Sequence, residues 1–227
     1  MADVPTLSLE APALLAAGAG VLSTDEMPGI QALARTHPTI PMGPGRAERR
    51  ECAYIRRGTL PLVAHGDVAQ GTLVVPALGP TRTAEDFGAH ITRTVASEPE
   101  ATRWHGVTDN LHMPQAASFV RFVAAHDGLE DDLGHKAQRG LRKAMATRAA
   151  FLADPTHRIV LHSTPHHAAW MNQIEMWCSL LVRKWLTRAS VPSVADWEAR
   201  ILAFIAYVHS TMAKPFQGTY GRKPLSV

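Results

Sequence analysis

Cysteine is scarce: the 227 residues hold two, Cys52 and Cys178, and no Cys-x-x-Cys pair. A disulfide framework and a thiolate zinc site are thereby excluded, and a reducing compartment fits. No apolar run approaches the roughly 18–20 residues of a membrane span. Residues 11–22 are apolar, but Asp3 and Glu10 precede them and no Lys or Arg does, so the basic start of a signal peptide is missing. Internal repeats, low-complexity tracts and a strong charge of one sign are absent too; the net charge is +3. The expected setting is the cytoplasm, without a membrane partner. A nucleic-acid partner is permitted by this charge, not demanded. With 46% hydrophobic and 19% charged residues, the chain has enough apolar material to bury a core.

The order of elements points to one α/β domain. A first apolar run, 18–24, is expected to stop at Asp25-Glu26-Met27-Pro28-Gly29, where Pro and Gly punctuate the chain. Residues 31–51 are turn-rich, and the runs 52–56, 59–64 and 71–78 read as three short strands in an antiparallel meander. After Pro80, Thr83-Ala84-Glu85-Asp86 opens a helix carrying Phe87, Ile91 and Val95 at helical spacing. A strand at 104–108 ends in Asp109, and a helix follows from near Pro114. Residues 127–132 hold four acids and 136–148 five bases without an acid, read as a solvated loop before a basic helix face. A strand at 158–161 and two long helices, 168–187 and 194–212, complete the chain, the last with Ser193 as cap. Strands first, then alternating helix and strand, predict a mixed sheet covered by helices.

Three carboxylates stand out. Asp25 and Asp109 close the first and fourth strands, and carboxyl ends of neighbouring parallel strands are where open sheets bind ligands. If those strands are adjacent, the two charges converge, and like charges that close call for a cation. Glu175 lies on the helix at 168–187, beside the apolar stripe Trp170, Ile174, Trp177 and Leu181. An acid there is costly unless paired or metal-bound, and an oxygen-only ligand set selects Mg²⁺ or Mn²⁺ over zinc. Each residue also has an ordinary reading, as a turn cap or a solvated helix boundary. The histidines are rivals. His157, His162, His166 and His167 span a strand, a Pro turn and a helix start, so they cannot all face one point. His166 and Asn172 are candidates for positioning a phosphate. Basic groups at Arg46, Arg49 and Arg50, at Lys136, Arg139, Arg142 and Lys143, and at Arg183 and Lys184 suit DNA phosphates.

These residues fall in stretches that resemble a known family. Ser23-Thr24-Asp25-Glu26, Gly79-Pro80-Thr81-Arg82-Thr83, Thr108-Asp109-Asn110-Leu111 and Thr164-Pro165-His166-His167-Ala168-Ala169-Trp170-Met171-Asn172-Gln173-Ile174-Glu175-Met176-Trp177 resemble bacterial insertion-sequence transposases related to the mariner superfamily, of the insertion-sequence 630 type. The tail at Ala213-Lys214-Pro215-Phe216 and Tyr220-Gly221-Arg222-Lys223-Pro224-Leu225 is similar to theirs as well. The resemblance implies a ribonuclease-H-like fold: a five-stranded mixed sheet of order 3-2-1-4-5 with helices on both faces. It implies a DDE triad at Asp25, Asp109 and Glu175 holding two Mg²⁺ or Mn²⁺ ions, and DNA strand cleavage and transfer by in-line phosphoryl transfer. It implies DNA as partner, both element ends and target, inside a bacterial cytoplasm. Family members carry an N-terminal helix-turn-helix region. Residues 1–17 are too few for one and read as a tail or linker remnant before a catalytic domain at 18–227. That leaves room for a separate helix-turn-helix chain and for a homodimer on DNA. The alternative is a DNA-binding or regulatory remnant without catalysis, against which the three carboxylates argue.

Overall fold

The computed structural model describes residues 4–79, 84–109, 117–129, 133–135, 137–165 and 168–216, without the side chains of 84, 85 and 87. Several expectations lie outside the described residues: the start of the first long helix at Thr83 and the side chain of Phe87, the loop from Asn110 to Pro114, Lys136, the His166-His167 pair and the tail at 220–225.

Five strands form one sheet in the order β3-β2-β1-β4-β5. They are β1 (Ala19–Arg35), β2 (Tyr54–Asp67), β3 (Thr72–Leu78), β4 (Arg103–Thr108) and β5 (Ile159–Ser163). β1 pairs antiparallel with β2 and parallel with β4; β2 with β3 is antiparallel, and β4 with β5 is parallel. This is the mixed sheet that the resemblance implied. The lengths differ from expectation. Pro28-Gly29 does not end β1; the ladder jumps from Met27↔Leu62 to Ile30↔Leu60, so the pair is absorbed as a bulge with Gly29 at φ +69°. The runs at 52–56 and 59–64 are likewise one strand, β2, with a second register shift where Ala32 faces Gly58 and Leu33 faces Arg56. Gly58 takes φ +135°, a value that L side chains rarely adopt.

Among the described residues six α-helices cover the sheet: α1 (Val4–Ala16), α2 (Ala84–Ser97), α3 (Ala117–His126), α4 (Met145–Leu152), α5 (Ile174–Lys184) and α6 (Val194–Thr211). Residues 1–17, expected as a tail, contain α1, whose Val4, Leu7 and Ala11 are buried against Val21, Val68 and Val107. α5 and α6 lie on the same face, where Trp177, Leu181, Trp197 and Ile201 pack on Leu60, Leu62 and Ala64. The opposite face carries α2, α3 and α4, with Ile91, Phe119, Val120 and Leu152 against Leu22, Val63, Trp104 and Leu161. Period-two alternation along β1 sends Val21 to one cluster and Leu22 to the other. Gly20 is required here, because a Cβ on it would sit 2.4 Å from the Trp104 ring.

Two helical expectations are corrected. Of the basic stretch 136–148 only Met145–Arg148 is helical, in α4; the described remainder is turns. The helix expected over 168–187 is broken into a 3-10 turn at Ala169–Met171, α5, and a second 3-10 turn at Leu186–Arg188. The first break lies at Asn172, whose φ of −78° and ψ of 104° are extended. α6 follows its expected course, with the Ser193 hydroxyl accepting from the Asp196 N–H at 3.1 Å.

Candidate functional site

The parallel ladder between β1 and β4 ends at Thr24↔Thr108. Asp25 and Asp109 are the next residues in that register: Asp109 lies just past the end of β4, whereas β1 runs on to Arg35, so Asp25 sits within its strand and does not close it as expected. Alternation turns Ser23 and Asp25 toward α5 and Thr24 to the opposite face. α5 brings Glu175 in its first turn, where unpaired backbone N–H groups favour a negative charge.

The electrostatics tie the three together. Asp25 is half-buried, and its carboxyl pKa is raised from 3.8 to about 6. Burial is the largest cause; the carboxylates of Asp109, Glu175 and Glu26 push the same way, against the Glu26 N–H, which donates to Asp25 Oδ1 at 2.7 Å. Cys178, one turn beyond Glu175, is pushed up to about 12 by burial and then by Asp25 and Glu175. Asp109 is half-buried and Glu175 exposed, so solvent reaches the cluster. Among the described residues no three His, Cys, Asp or Glu groups already stand at metal-holding distances. The donor set nonetheless fits a hard divalent cation: oxygen ligands, mutual repulsion that a cation relieves, and an open side.

Asn172 is fully buried. Its Nδ2 donates to the Thr24 carbonyl at 2.8 Å, and its Oδ1 accepts from the Ser23 hydroxyl. Ser23 Oγ in turn accepts from the Ile174 N–H at 2.7 Å. Among the basic candidates, Arg46, Arg49, Arg50, Arg139, Lys143, Arg183 and Lys184 are exposed. Arg50 pairs with Glu48, and half-buried Arg142 donates to the Gly134 carbonyl at 3.2 Å. Arg183 and Lys184 occupy the last turn of α5, where they also suit the helix dipole. The described histidines do not converge: His157 pairs with Asp127 at 2.6 Å, while His162 lies 3.0 Å from His105.

One polar cluster was not anticipated. Beneath Thr24, His65 and His90 stack with ring centroids 4.1 Å apart, both without solvent exposure. His65 Nδ1 lies 2.8 Å from Thr24 Oγ1, and His90 Nε2 bonds to the Val75 carbonyl, holding a non-glycine residue at φ +43°. Burial lowers both imidazole pKa values. Ser23 was missed as a site residue as well; its only signal is a hydroxyl two residues before Asp25, hence on the same face of β1.

Residues 21–197 match the family model described as DDE superfamily endonuclease. The chain belongs to this family. Curated protein sequences gave no match. Among solved structures, the Mos1 transposase paired-end complex with left transposon end is similar at 13% identity and a TM-score of 0.34, covering 84% of this chain and 53% of that one. The Mos1 mariner paired end complex with Mn gives 13% and 0.34 over 87% and 56%, and the Mos1 Strand Transfer Complex 11% and 0.32 over 92% and 61%. The chain thus spans about half the length of the first of these structures. Membership in the DDE endonucleases rests on the match over 21–197, not on these superpositions. No helix among the described residues is long and apolar enough to cross a membrane.

Proposed function

We propose that residues 18–227 are the catalytic domain of a transposase that cuts DNA strands and joins them to a target. The observation that carries this reading is the position of Asp25 and Asp109, one residue beyond the last parallel pair of β1 and β4, with Glu175 in the first turn of α5, inside the span matched by the DDE endonuclease family. Asp25, Asp109 and Glu175 would hold Mg²⁺ or Mn²⁺, two ions in the full site. Bound there, the ions supply a Lewis-acid clamp on the attacking and leaving oxygens of a phosphodiester. The chain's own part is to present the three carboxylates from separate elements, and a bound cation would offset the cost that the fold places on ionised Asp25. Asp25 comes from the central strand, Asp109 from just past the end of its parallel neighbour and Glu175 from a helix start. Arg46, Arg49, Arg50, Lys136, Arg139, Lys143, Arg183 and Lys184 are assigned to DNA phosphates, which makes affinity fall steeply with salt. His166 remains a candidate beside the scissile phosphate. The partners proposed for engaging element ends are a separate helix-turn-helix chain and a second copy of this chain in a homodimer on DNA.

Nicking and joining of a labelled duplex with Mg²⁺ or Mn²⁺ tests this. Cleavage by the wild type, lost in Asp25→Asn, Asp109→Asn and Glu175→Gln, is the expected result. DNA binding without cleavage by the wild type would favour a regulatory remnant instead. Cleavage that survives all three substitutions would end the carboxylate reading.

A further inference from the structure

The break at Asn172 is the least helical feature of a segment whose sequence reads as continuous helix, and it occurs where the chain is tied hardest to β1. Asn172 is 0% and Ser23 1% exposed. Three hydrogen bonds tie them to each other and to their neighbours: the Ser23 hydroxyl donates to Asn172 Oδ1 and accepts the Ile174 N–H, and Asn172 Nδ2 donates to the Thr24 carbonyl. Helix α5 begins with N–H groups that have no partner within the helix. Its N-cap residue, Gln173, makes no side-chain cap. Ser23, from the central strand, supplies the cap instead.

The clasp also lies next to the carboxylates on both sides. Thr24 precedes Asp25 and Ile174 precedes Glu175, so each joined residue is the covalent neighbour of a site acid. Asp25 and Glu175 repel one another, and nothing apolar at Glu175 holds it down, since it is exposed. A helix start anchored only by Ile174 and Trp177 could turn about its axis and carry Glu175 away. Three hydrogen bonds between residues 23–24 and 172–174 remove that freedom.

We infer that Ser23 and Asn172 are positioning residues, a clasp that caps α5 from β1 and holds Glu175 against Asp25. This rests on the proposed carboxylate site. Neither residue touches substrate or ion; both act through Glu175. Partners that orient metal ligands from behind typically change metal affinity about 10–100-fold when removed.

The test uses the whole chain without DNA. Mn²⁺ is titrated into wild type, Ser23→Ala, Asn172→Ala and the double variant, followed by electron paramagnetic resonance. Hydrogen exchange over 174–178 and thermal melting are measured alongside. Ser23→Ala, the gentler change at a buried position, keeps the proposal testable if Asn172→Ala fails to fold. The expected result is about tenfold weaker Mn²⁺ binding in each folded single variant, with faster exchange over 174–178 and α6 unaffected. The double variant should be no weaker than the worse single, because the two residues form one device. Wild-type affinity and exchange in Ser23→Ala, or losses that multiply in the double variant, would overturn the clasp. Failure of the carboxylate site looks different: Asp25→Asn then binds Mn²⁺ as the wild type does. If only the clasp is wrong, Asp25→Asn is defective and Ser23→Ala is intact.

Discussion

Ser23 and Asp25 face one side of β1 and Thr24 the other, and the two sides handle polar groups in opposite ways. On the α5 side, Asp25 feels the carboxylates of Asp109 and Glu175, and with burial they hold its proton on up to about pH 6. On the α2 side, Thr24 rests on two stacked imidazoles that burial keeps neutral. The first arrangement opposes folding and is left open to solvent; the second is closed, with one nitrogen of each ring bonded to Thr24 or to the Val75 carbonyl and His90 Nδ1 left without a hydrogen-bond partner among the described residues. A strand that carries a repelling acid on one face is held in place by a neutral polar bed on the other.

Removing the acid should break the comparison most visibly. Asp25→Asn is expected to lower nicking by at least about 10²–10³-fold, the cost typical of losing one preorganised charge-stabilising group. In metal-free buffer it should also stabilise the fold. The pKa of Asp25 is raised from 3.8 to about 6, so ionisation costs nothing below the lower value, costs progressively more between the two, and costs fully above the upper one. After allowing for partial solvent screening this is on the order of 1–2 kcal/mol, at roughly 2–4 °C per kcal/mol for a chain of this size. Melting of the variant should exceed wild type at pH 7.5 and match it at pH 4. An equal gap at both pH values would show that repulsion is not the cause.

A cation should have the next largest effect. Mn²⁺ at 100 times its Kd stabilises a protein by about 2.7 kcal/mol if only the folded state binds it. Wild type should therefore melt higher with Mn²⁺ and return on chelation, whereas Asp25→Asn should respond little. Equal shifts in both proteins would place the binding elsewhere.

The neutral bed has the opposite pH signature. His65 and His90 are depressed in the folded state, and so are His105 and His162, the last to about 4 by burial and its neighbour His105. The unfolded chain takes up those protons first, so stability falls as pH drops below about 6.5. His65→Phe should cost about 1 kcal/mol at pH 7.5 through the lost Thr24 contact. It should then lose stability less steeply between pH 6.5 and 5, by up to about 1.4 kcal/mol per pH unit for one fewer proton. Urea unfolding at three pH values reads this, and an unchanged slope would remove His65 from the acid response.

Sheet order, and with it the adjacency of the strands that lead to Asp25 and Asp109, came from the family resemblance; the strands themselves were legible as apolar runs, two of them followed by those acids. Strand length was not. Pro28-Gly29 and Gly58 look like stops, yet a long hairpin absorbs them as bulges, because the partner strand continues to offer hydrogen bonds on either side. The break at Asn172 was hidden for a related reason: residues 168–187 are periodic enough for a helix, and the interruption is imposed by Ser23 and Thr24 from β1. Pro12 and a weak pattern conceal α1, which is held by burial of Val4, Leu7 and Ala11. The His65–His90 stack joins a strand to a helix, and no spacing in the chain announces it.

The smallest expected effect reports the field on the carboxylate side directly. Cys178 sits near both Asp25 and Glu175, and its thiol is pushed up to about 12, chiefly by burial and then by those two acids. Cys52 is exposed and provides an internal control. Alkylation needs the thiolate, so Cys52 should react at pH 8 while Cys178 resists. Asp25→Asn removes one of the two negative neighbours and lowers the Cys178 pKa, but burial persists, so the reaction should quicken only severalfold. Mn²⁺ added to wild type should act in the same direction by offsetting the same charge. His65→Phe, on the other face of β1, should leave the rate where it was. Mass spectrometry of the two cysteine peptides after timed iodoacetamide treatment measures all of this. If His65→Phe quickens Cys178 as much as Asp25→Asn does, general loosening rather than charge governs the thiol, and the two sides of β1 are not electrostatically separate.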